Sequence, residues 1–321
     1  MQRNSLARLD IGTSEIRQKV QSCCRLKLGD IWYDSQAGHI VGCGDAADPA
    51  FVHRIMAGRK ATLAVQDPPY NFVMCRKRAV ETYITWCRTW VDICYEILGA
   101  NSALYIWMGA EQSKHFQPLP QFMAMMAGTK FESRSLITMR NQRGYGTPKN
   151  WMAVRQELLY YVKGNPPFTV QYTDIPKILR GYYKQVNGLM KENLARSKSA
   201  TIRPGNVWVD IQQIFYRMEE NVNGCYGQKP LKAIERIVLA SSNTGDFVTD
   251  FFAHAGTTLL ACERTGRRCI SFDIDPLFVE ITLRRLERFR TTGKTGWQAG
   301  NPFEKELADT DVGCMAPLAT S

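Results

Sequence analysis

A chain of 321 residues, 45% hydrophobic and 22% charged, is long enough to bury a full core and has an ordinary globular composition. Its 41 lysines and arginines against 30 acidic residues leave a formal charge of +11, which suits a polyanionic partner such as nucleic acid, although the same excess also serves solubility alone. The ten cysteines form no CxxC pair and no histidines cluster at metal-ligand spacing, so no metal is expected. No apolar run approaches the ~18 residues of a membrane span. The polar Met1–Asp10 stretch lacks a secretory pattern, so a reduced cytoplasmic setting is expected.

In chain order, residues 1–28 form an N-terminal extension with helical character from Glu15 to Leu26. Ile31 to Asp45 reads as short strands with turns at Ser35–Gly38 and Gly42–Asp45. Thr62–Val65 is an apolar run that stops at Asp67-Pro68-Pro69, the pattern of a buried parallel strand ending in an extended loop. Apolar residues at helical spacing from Thr82 to Leu98 predict a helix stopped by Gly99, and Ala103–Met108 predicts the next strand. From about residue 121 to 224 periodicity weakens and polar turns multiply, which predicts an insert, with Lys184–Arg203 as a basic mobile loop inside it. In that insert Trp151, Tyr160 and Tyr161 are expected to be core residues. Regular alternation then resumes: helix Ile234–Ala240, strand Asp246–Phe252, helix Leu259–Thr265 closed by Gly266, strand Cys269–Ile274 and an amphipathic helix Leu277–Phe289. Residues 293–321 are expected to be a poorly ordered tail.

Two segments, 29–120 and 225–292, thus form one α/β unit around the 121–224 insert. Two motifs in it carry chemistry. Asp67-Pro68-Pro69-Tyr70 ends a predicted strand, at the sheet edge where ligands bind in open α/β folds. Asp250-Phe251-Phe252-Ala253-His254-Ala255-Gly256-Thr257-Thr258 is a second strand end turning into a helix. Its small residues let the backbone approach a ligand, and Thr257 or Thr258 is placed to cap the helix. The following strand ends in Asp273-Ile274-Asp275, where an acid can accept from ribose hydroxyls. Asp275 precedes Pro276 and reads as a helix N-cap, which leaves Asp273 as the ribose candidate.

Taken together, these segments resemble the DNA amino-methyltransferases that modify adenine N6 or cytosine N4. The resemblance runs through Gly42-Cys43-Gly44-Asp45, Asp67–Tyr70, Gln228-Lys229-Pro230, Asp250–Thr258 and Gly266–Pro276. The catalytic motif precedes the cofactor motif, which is the order of the beta group of that family. The resemblance implies a Rossmann-like methyltransferase fold with a mixed, mostly parallel sheet and an inserted target-recognition region. It also implies S-adenosylmethionine as cofactor, double-stranded DNA as partner and, as in some members, a homodimer.

The roles implied are these. Within the Asp67-Pro68-Pro69-Tyr70 motif, Asp67 and the Pro68 carbonyl accept hydrogen bonds from the target amino group, and Tyr70 stacks on the base after it leaves the duplex. Asp273 holds the ribose, Asp45 the adenine amino group, and Lys229, Asp250, Phe252, Ala253, His254, Gly256 and Thr257 the methionine end. Arg134, Arg140, Arg143, Lys149 and Arg155 are the DNA-binding candidates, although singly each fits a solvated basic face better. Asp67 favours adenine, since the cytosine-N4 group more often begins its tetrapeptide with serine; cytosine-N4 remains the alternative. His254 stands where the family has its first loop glycine, and Phe251 where it has proline. That departure keeps a second alternative open, an inactive DNA-binding subunit.

Overall fold

The computed structural model describes residues 14–71, 78–109, 114–145, 148–149, 151–177, 183–192, 199–298 and 300–308. In chain order its strands are β1 (Ile31–Tyr33), β2 (Ile40–Cys43), β3 (Ala61–Gln66), β4 (Leu98–Met108), β5 (Glu132–Tyr145) and β6 (Ala153–Lys163). Then come β7 (Tyr183–Val186), β8 (Leu189–Glu192), β9 (Val207–Trp208), β10 (Phe247–Asp250) and β11 (Arg268–Asp273). The helices are α1 (Ser14–Ser22), α2 (Pro49–Met56), α3 (Val80–Ile97), α4 (Leu119–Ala127), α5 (Leu231–Ser241), α6 (Thr257–Thr265), α7 (Pro276–Thr292) and α8 (Glu304–Ala308).

Nine strands form one sheet in the order β1-β2-β11-β10-β3-β4-β6-β5-β9. The middle five, β2 to β4, run parallel; β1 and β6 are antiparallel to their neighbours, and β9 runs with β5. Parallel strands covered on both faces read as unbroken apolar runs, as Leu63-Ala64-Val65 does. On one face Leu63, Val65, Tyr105 and Trp107 pack with Ile234, Leu259 and Leu283 of α5, α6 and α7. On the other, Ala64, Leu104 and Ile106 pack with Phe51, Trp90 and Phe122 of α2, α3 and α4. Among the described residues no helix is long and apolar enough to cross a membrane.

Local chemistry sets the helix starts. Asp48 caps α2 through Ala50 N at 2.9 Å, with Pro49 at the first helical position. Asp275 and Pro276 repeat the device at α7, the carboxylate accepting from Leu277 N at 3.0 Å. The expected cap by Thr257 or Thr258 is not made: Gly256 is the N-cap residue of α6, and both hydroxyls have other partners.

The structure redraws several expected boundaries. Gly99 stops nothing, because α3 passes at Leu98 directly into β4. The 121–224 segment is not all insert. Its first part supplies most of α4 and the long hairpin β5–β6, which pairs with β4, and Tyr160 stacks on Tyr105 with centroids 4.3 Å apart. The basic stretch from Lys184 holds a hairpin, β7–β8, turned at Asn187-Gly188, both at positive φ as a two-residue hairpin turn requires; residues 193–198 lie outside the described residues. Within the expected tail Phe303 and Leu307 are buried against Val20, Leu277 and Ile281, and residues 309–321 lie outside the described residues. The first helix is shorter than expected and ends at Ser22.

Candidate active site

Four acids line one edge of the sheet because each follows or ends a parallel strand at its carboxyl end. In spatial order they are Asp45 after β2, Asp273 of β11, Asp250 of β10 and Asp67 after β3.

Asp67 is engaged at both oxygens. Oδ1 accepts from the Tyr70 hydroxyl at 2.7 Å, and Oδ2 pairs with Lys229 Nζ at 2.7 Å. The Lys229 ammonium also donates to the Gly227 carbonyl at 3.2 Å and lies 5.2 Å from the Tyr70 ring centroid and 5.4 Å from that of Trp107. Burial and the neighbouring Asp67 charge raise the Tyr70 phenol well above its ordinary pKa, so it stays a donor. The loop is braced from behind: Tyr83 donates to the Pro69 carbonyl at 2.9 Å, and Asn71, at φ +59°, exchanges two hydrogen bonds with Arg78.

Across the adjacent strand lies the Asp250–Thr258 loop. Asp250 accepts from Phe252 N at 2.9 Å and from the Thr258 hydroxyl at 2.5 Å, and burial lifts its pKa to about 7. Asp273 accepts from His254 N and Asp275 N, each at 3.0 Å, and burial lifts it likewise to about 7. Asp45 accepts from Ala47 N at 2.9 Å beside the end of β11.

His254 takes φ +44°, the left-handed conformation the family glycine would adopt without strain. Its ring rests on Phe278, centroids 4.6 Å apart, yet the residue still lines the cavity shared by Asp67, Lys229, Asp250 and Phe252–Ala255. Burial lowers its pKa to about 4, so it is neutral at pH 7. Gly256, at φ +70°, has no such latitude, since a Cβ there would sit 2.9 Å from Thr282 Cα.

Three contributors lie outside the motifs read from the sequence. Arg285 of α7 is fully buried and donates to the Ala255 carbonyl (2.8 Å), the Thr257 hydroxyl (3.0 Å) and the Thr295 carbonyl (2.6 Å), tying the loop to the tail. Buried Gln66 accepts from Phe251 N at 2.9 Å, joining β3 to the loop. Trp107 of β4 lines the cavity. A hydrophilic residue inside a strand, as at Gln66, is the one mark a sequence reading could have used.

The basic candidates divide. Arg140 and Arg155 are exposed cross-strand partners near the end of the β5–β6 hairpin that lies on the catalytic edge, where Arg155 also pairs with buried Glu157 at 2.6 Å. Lys149 is exposed in the turn of that hairpin, and the Arg143 side chain lies outside the described residues. Arg134 sits towards the opposite edge, in a groove of about 460 Å³ with Tyr160, Phe168, Arg203 and Trp208. Trp151 is not a core residue as expected: it is 92% exposed in the same hairpin turn, whereas Tyr160 and Tyr161 are buried.

One trio of ligand-type side chains does converge among the described residues, Asp34, His39 and Glu263. Arg290 already offsets half the charge of its two carboxylates, through two bonds to Asp34 and two to Glu263, and His39 Nδ1 accepts from Cys269 N. Arg290 holds both carboxyls below their usual range. The arrangement is a structural ion network tying β2, α6 and α7 together.

The family model described as DNA methylase, of the N6/N4 type, matches residues 61–284. The Type II methyltransferase M.HpaI of Haemophilus parainfluenzae is 28% identical over 230 residues, 70% of this chain and 68% of the relative. The DNA adenine methyltransferase YhdJ of Escherichia coli (strain K12) is 27% identical over 231 residues, 70% of this chain and 76% of the relative. Among solved structures, the M1.HpyAVI–SAM complex superposes with TM-score 0.53 at 16% identity, covering 77% of this chain and 98% of that one. The PvuII DNA methyltransferase (cytosine-N4-specific) gives TM-score 0.56 at 14% identity, covering 76% and 84%. These structural likenesses establish a shared fold.

Proposed function

The chain belongs to the N6/N4 DNA methylase family, whose model spans residues 61–284, and from that premise we propose that it methylates adenine N6 in a specific sequence of double-stranded DNA, with S-adenosylmethionine as donor. The observation that carries the reading is the meeting, on adjacent strands β3 and β10, of an intact Asp67–Tyr70 motif and the Asp250–Thr258 loop.

The residues present fit that cofactor. Among the described residues neither Asp250 nor Asp273 makes an ion pair, and their raised pKa values mark carboxylates that further donors would favour. Ribose hydroxyls suit Asp273, the adenine amino group suits Asp45, and the methionine end suits Lys229, Asp250 and the backbone of the loop through Phe252, Ala253, His254, Gly256 and Thr257. When bound, S-adenosylmethionine supplies a methyl group activated by positively charged sulfur.

The protein's task is to make an exocyclic amino nitrogen nucleophilic. Its lone pair is delocalised into the ring until hydrogen bonds draw the two N–H groups out of plane. Asp67 accepts one of these and the Pro68 carbonyl the other, so catalysis is positioning plus electrostatics. Tyr70 stacks on the base once it has left the duplex, a step that enzymes acting on a base require. Lys229 holds Asp67 Oδ2 in the free protein and competes with the base for that oxygen. Arg140, Arg143, Lys149 and Arg155, on the hairpin at the catalytic edge, are assigned to DNA phosphates. The smaller region between β6 and α5, with the β7–β8 hairpin, is assigned to sequence recognition.

The test is methyl transfer from labelled S-adenosylmethionine to unmethylated plasmid DNA, followed by nucleoside digestion and mass analysis. N6-methyladenine is the expected product. N4-methylcytosine would overturn the target while keeping the mechanism. No transfer by folded protein would favour the inactive DNA-binding subunit that His254 suggests.

A further inference from the structure

We propose that Trp107 is a binding residue for the amino-acid end of the cofactor, its indole N–H donating to the carboxylate that Lys229 attracts; this rests on the methyltransferase reading above. One residue beyond the register pair Gln66↔Ile106 of β3 and β4 stand Asp67, just after β3, and Trp107, on the face that Val65 and Tyr105 share. Trp107 is fully buried, and its Nε1 has no hydrogen-bond partner among the described residues. Buried indole N–H groups ordinarily find an acceptor, so an unpaired one beside a cavity marks a place where an acceptor arrives.

The acceptors nearby are already engaged. Both Asp67 oxygens are held by Tyr70 and Lys229, and Asp250 receives Phe252 N and Thr258. Trp90 also has an unpaired Nε1, but it lies among Trp86, Phe122 and Phe252 in the apolar layer. Trp107 instead lines the cavity that holds Lys229, Asp250 and the cofactor loop, with the Lys229 ammonium 5.4 Å from its ring. A carboxylate there would meet a cation and a free donor together, and it is the anionic group that S-adenosylmethionine carries. Drawing Lys229 onto that carboxylate would also release Asp67 for the base.

The test compares ligands on the purified full chain. S-adenosylhomocysteine carries the amino-acid end; 5′-methylthioadenosine keeps the nucleoside and thioether but lacks it. By calorimetry, W107F should weaken S-adenosylhomocysteine about tenfold, the loss of one charge-assisted hydrogen bond, and leave 5′-methylthioadenosine within about twofold. In wild-type protein labelled with 15N-tryptophan, one indole resonance, identified by its loss in W107F or W107Y, should move with the first ligand and not the second. Equal weakening of both ligands, no weakening, or an unmoved resonance would overturn the assignment. So would unchanged cofactor affinity with weakened DNA binding, which would move Trp107 to the base. Wild-type protein that bound neither ligand would overturn the methyltransferase reading itself.

Discussion

Replacing His254 with glycine probes the one place where the cofactor loop departs from the family pattern. Holding an L-residue at φ +44° costs about 1–2 kcal/mol, which glycine relieves. Against that, glycine forfeits the packing of the ring on Phe278, about 0.5–1.5 kcal/mol, and a further ~0.5–1 kcal/mol through its more flexible unfolded chain. These terms cancel to within about 1 kcal/mol, so the melting midpoint should move by no more than about 4 °C. Cofactor affinity has no such cancellation, because His254 also lines the cavity. If the imidazole must leave Phe278 to admit the ligand, breaking that ring pair costs about 0.5–1.5 kcal/mol, equivalent to about 2–12-fold in affinity. H254G should recover that factor in a calorimetric titration with S-adenosylhomocysteine at pH 7.5, where a pKa of about 4 keeps the wild-type ring neutral. H254A removes the ring but keeps the strained backbone, and should gain the same factor at lower stability. Stably folded H254G and H254A with wild-type or weaker affinity would refute the idea that the ring obstructs the site.

Asp67→Ala should lower the methyl-transfer rate by about 10²–10³ or more, while S-adenosylhomocysteine binds as well or better because Lys229 has lost its partner; near-normal single-turnover rates would remove Asp67 from catalysis. Asp250 and Asp273 titrate near 7, so their folded forms hold protons that the unfolded chain has released above about pH 4. Their contribution to stability is therefore lost as pH rises towards and through 7. Cofactor donors favour the ionised forms, so binding should tighten from pH 6 to pH 8 and release protons near pH 7; calorimetry in buffers of different ionisation enthalpy reads this, and flat affinity with no proton release would contradict it. Arg285→Met leaves the Ala255 and Thr295 carbonyls and the Thr257 hydroxyl without their donor. At about 1–3 kcal/mol for each buried acceptor left unpaired, a loss of about 3–5 kcal/mol in urea unfolding is expected, and an unchanged midpoint would deny the guanidinium its role in holding the loop.

What the sequence determined by itself was local. Asp67-Pro68-Pro69-Tyr70 ends a short apolar run, and Asp275-Pro276 has the spacing of a cap and first helical residue. The small residues of the second loop stand between a strand and a helix. Each depends on neighbours within a few positions, so periodicity and turn chemistry reveal it, and the order of the two motifs indicated the family. The tertiary structure decided what depends on distant partners. Whether residues 132–163 form an insert or extend the sheet turns on pairing with β4, and their mixed polar pattern does not declare it. The same holds for exposed Trp151 against buried Tyr160, since burial is set by which surface the fold brings over a side chain. The Lys229–Asp67 pair joins residues 162 apart, and the Arg285 bonds to Ala255 and Thr257 cross 30 and 28 positions. Such pairings form because the parallel sheet gathers its carboxyl ends onto one edge, and no local stretch of the chain encodes that gathering.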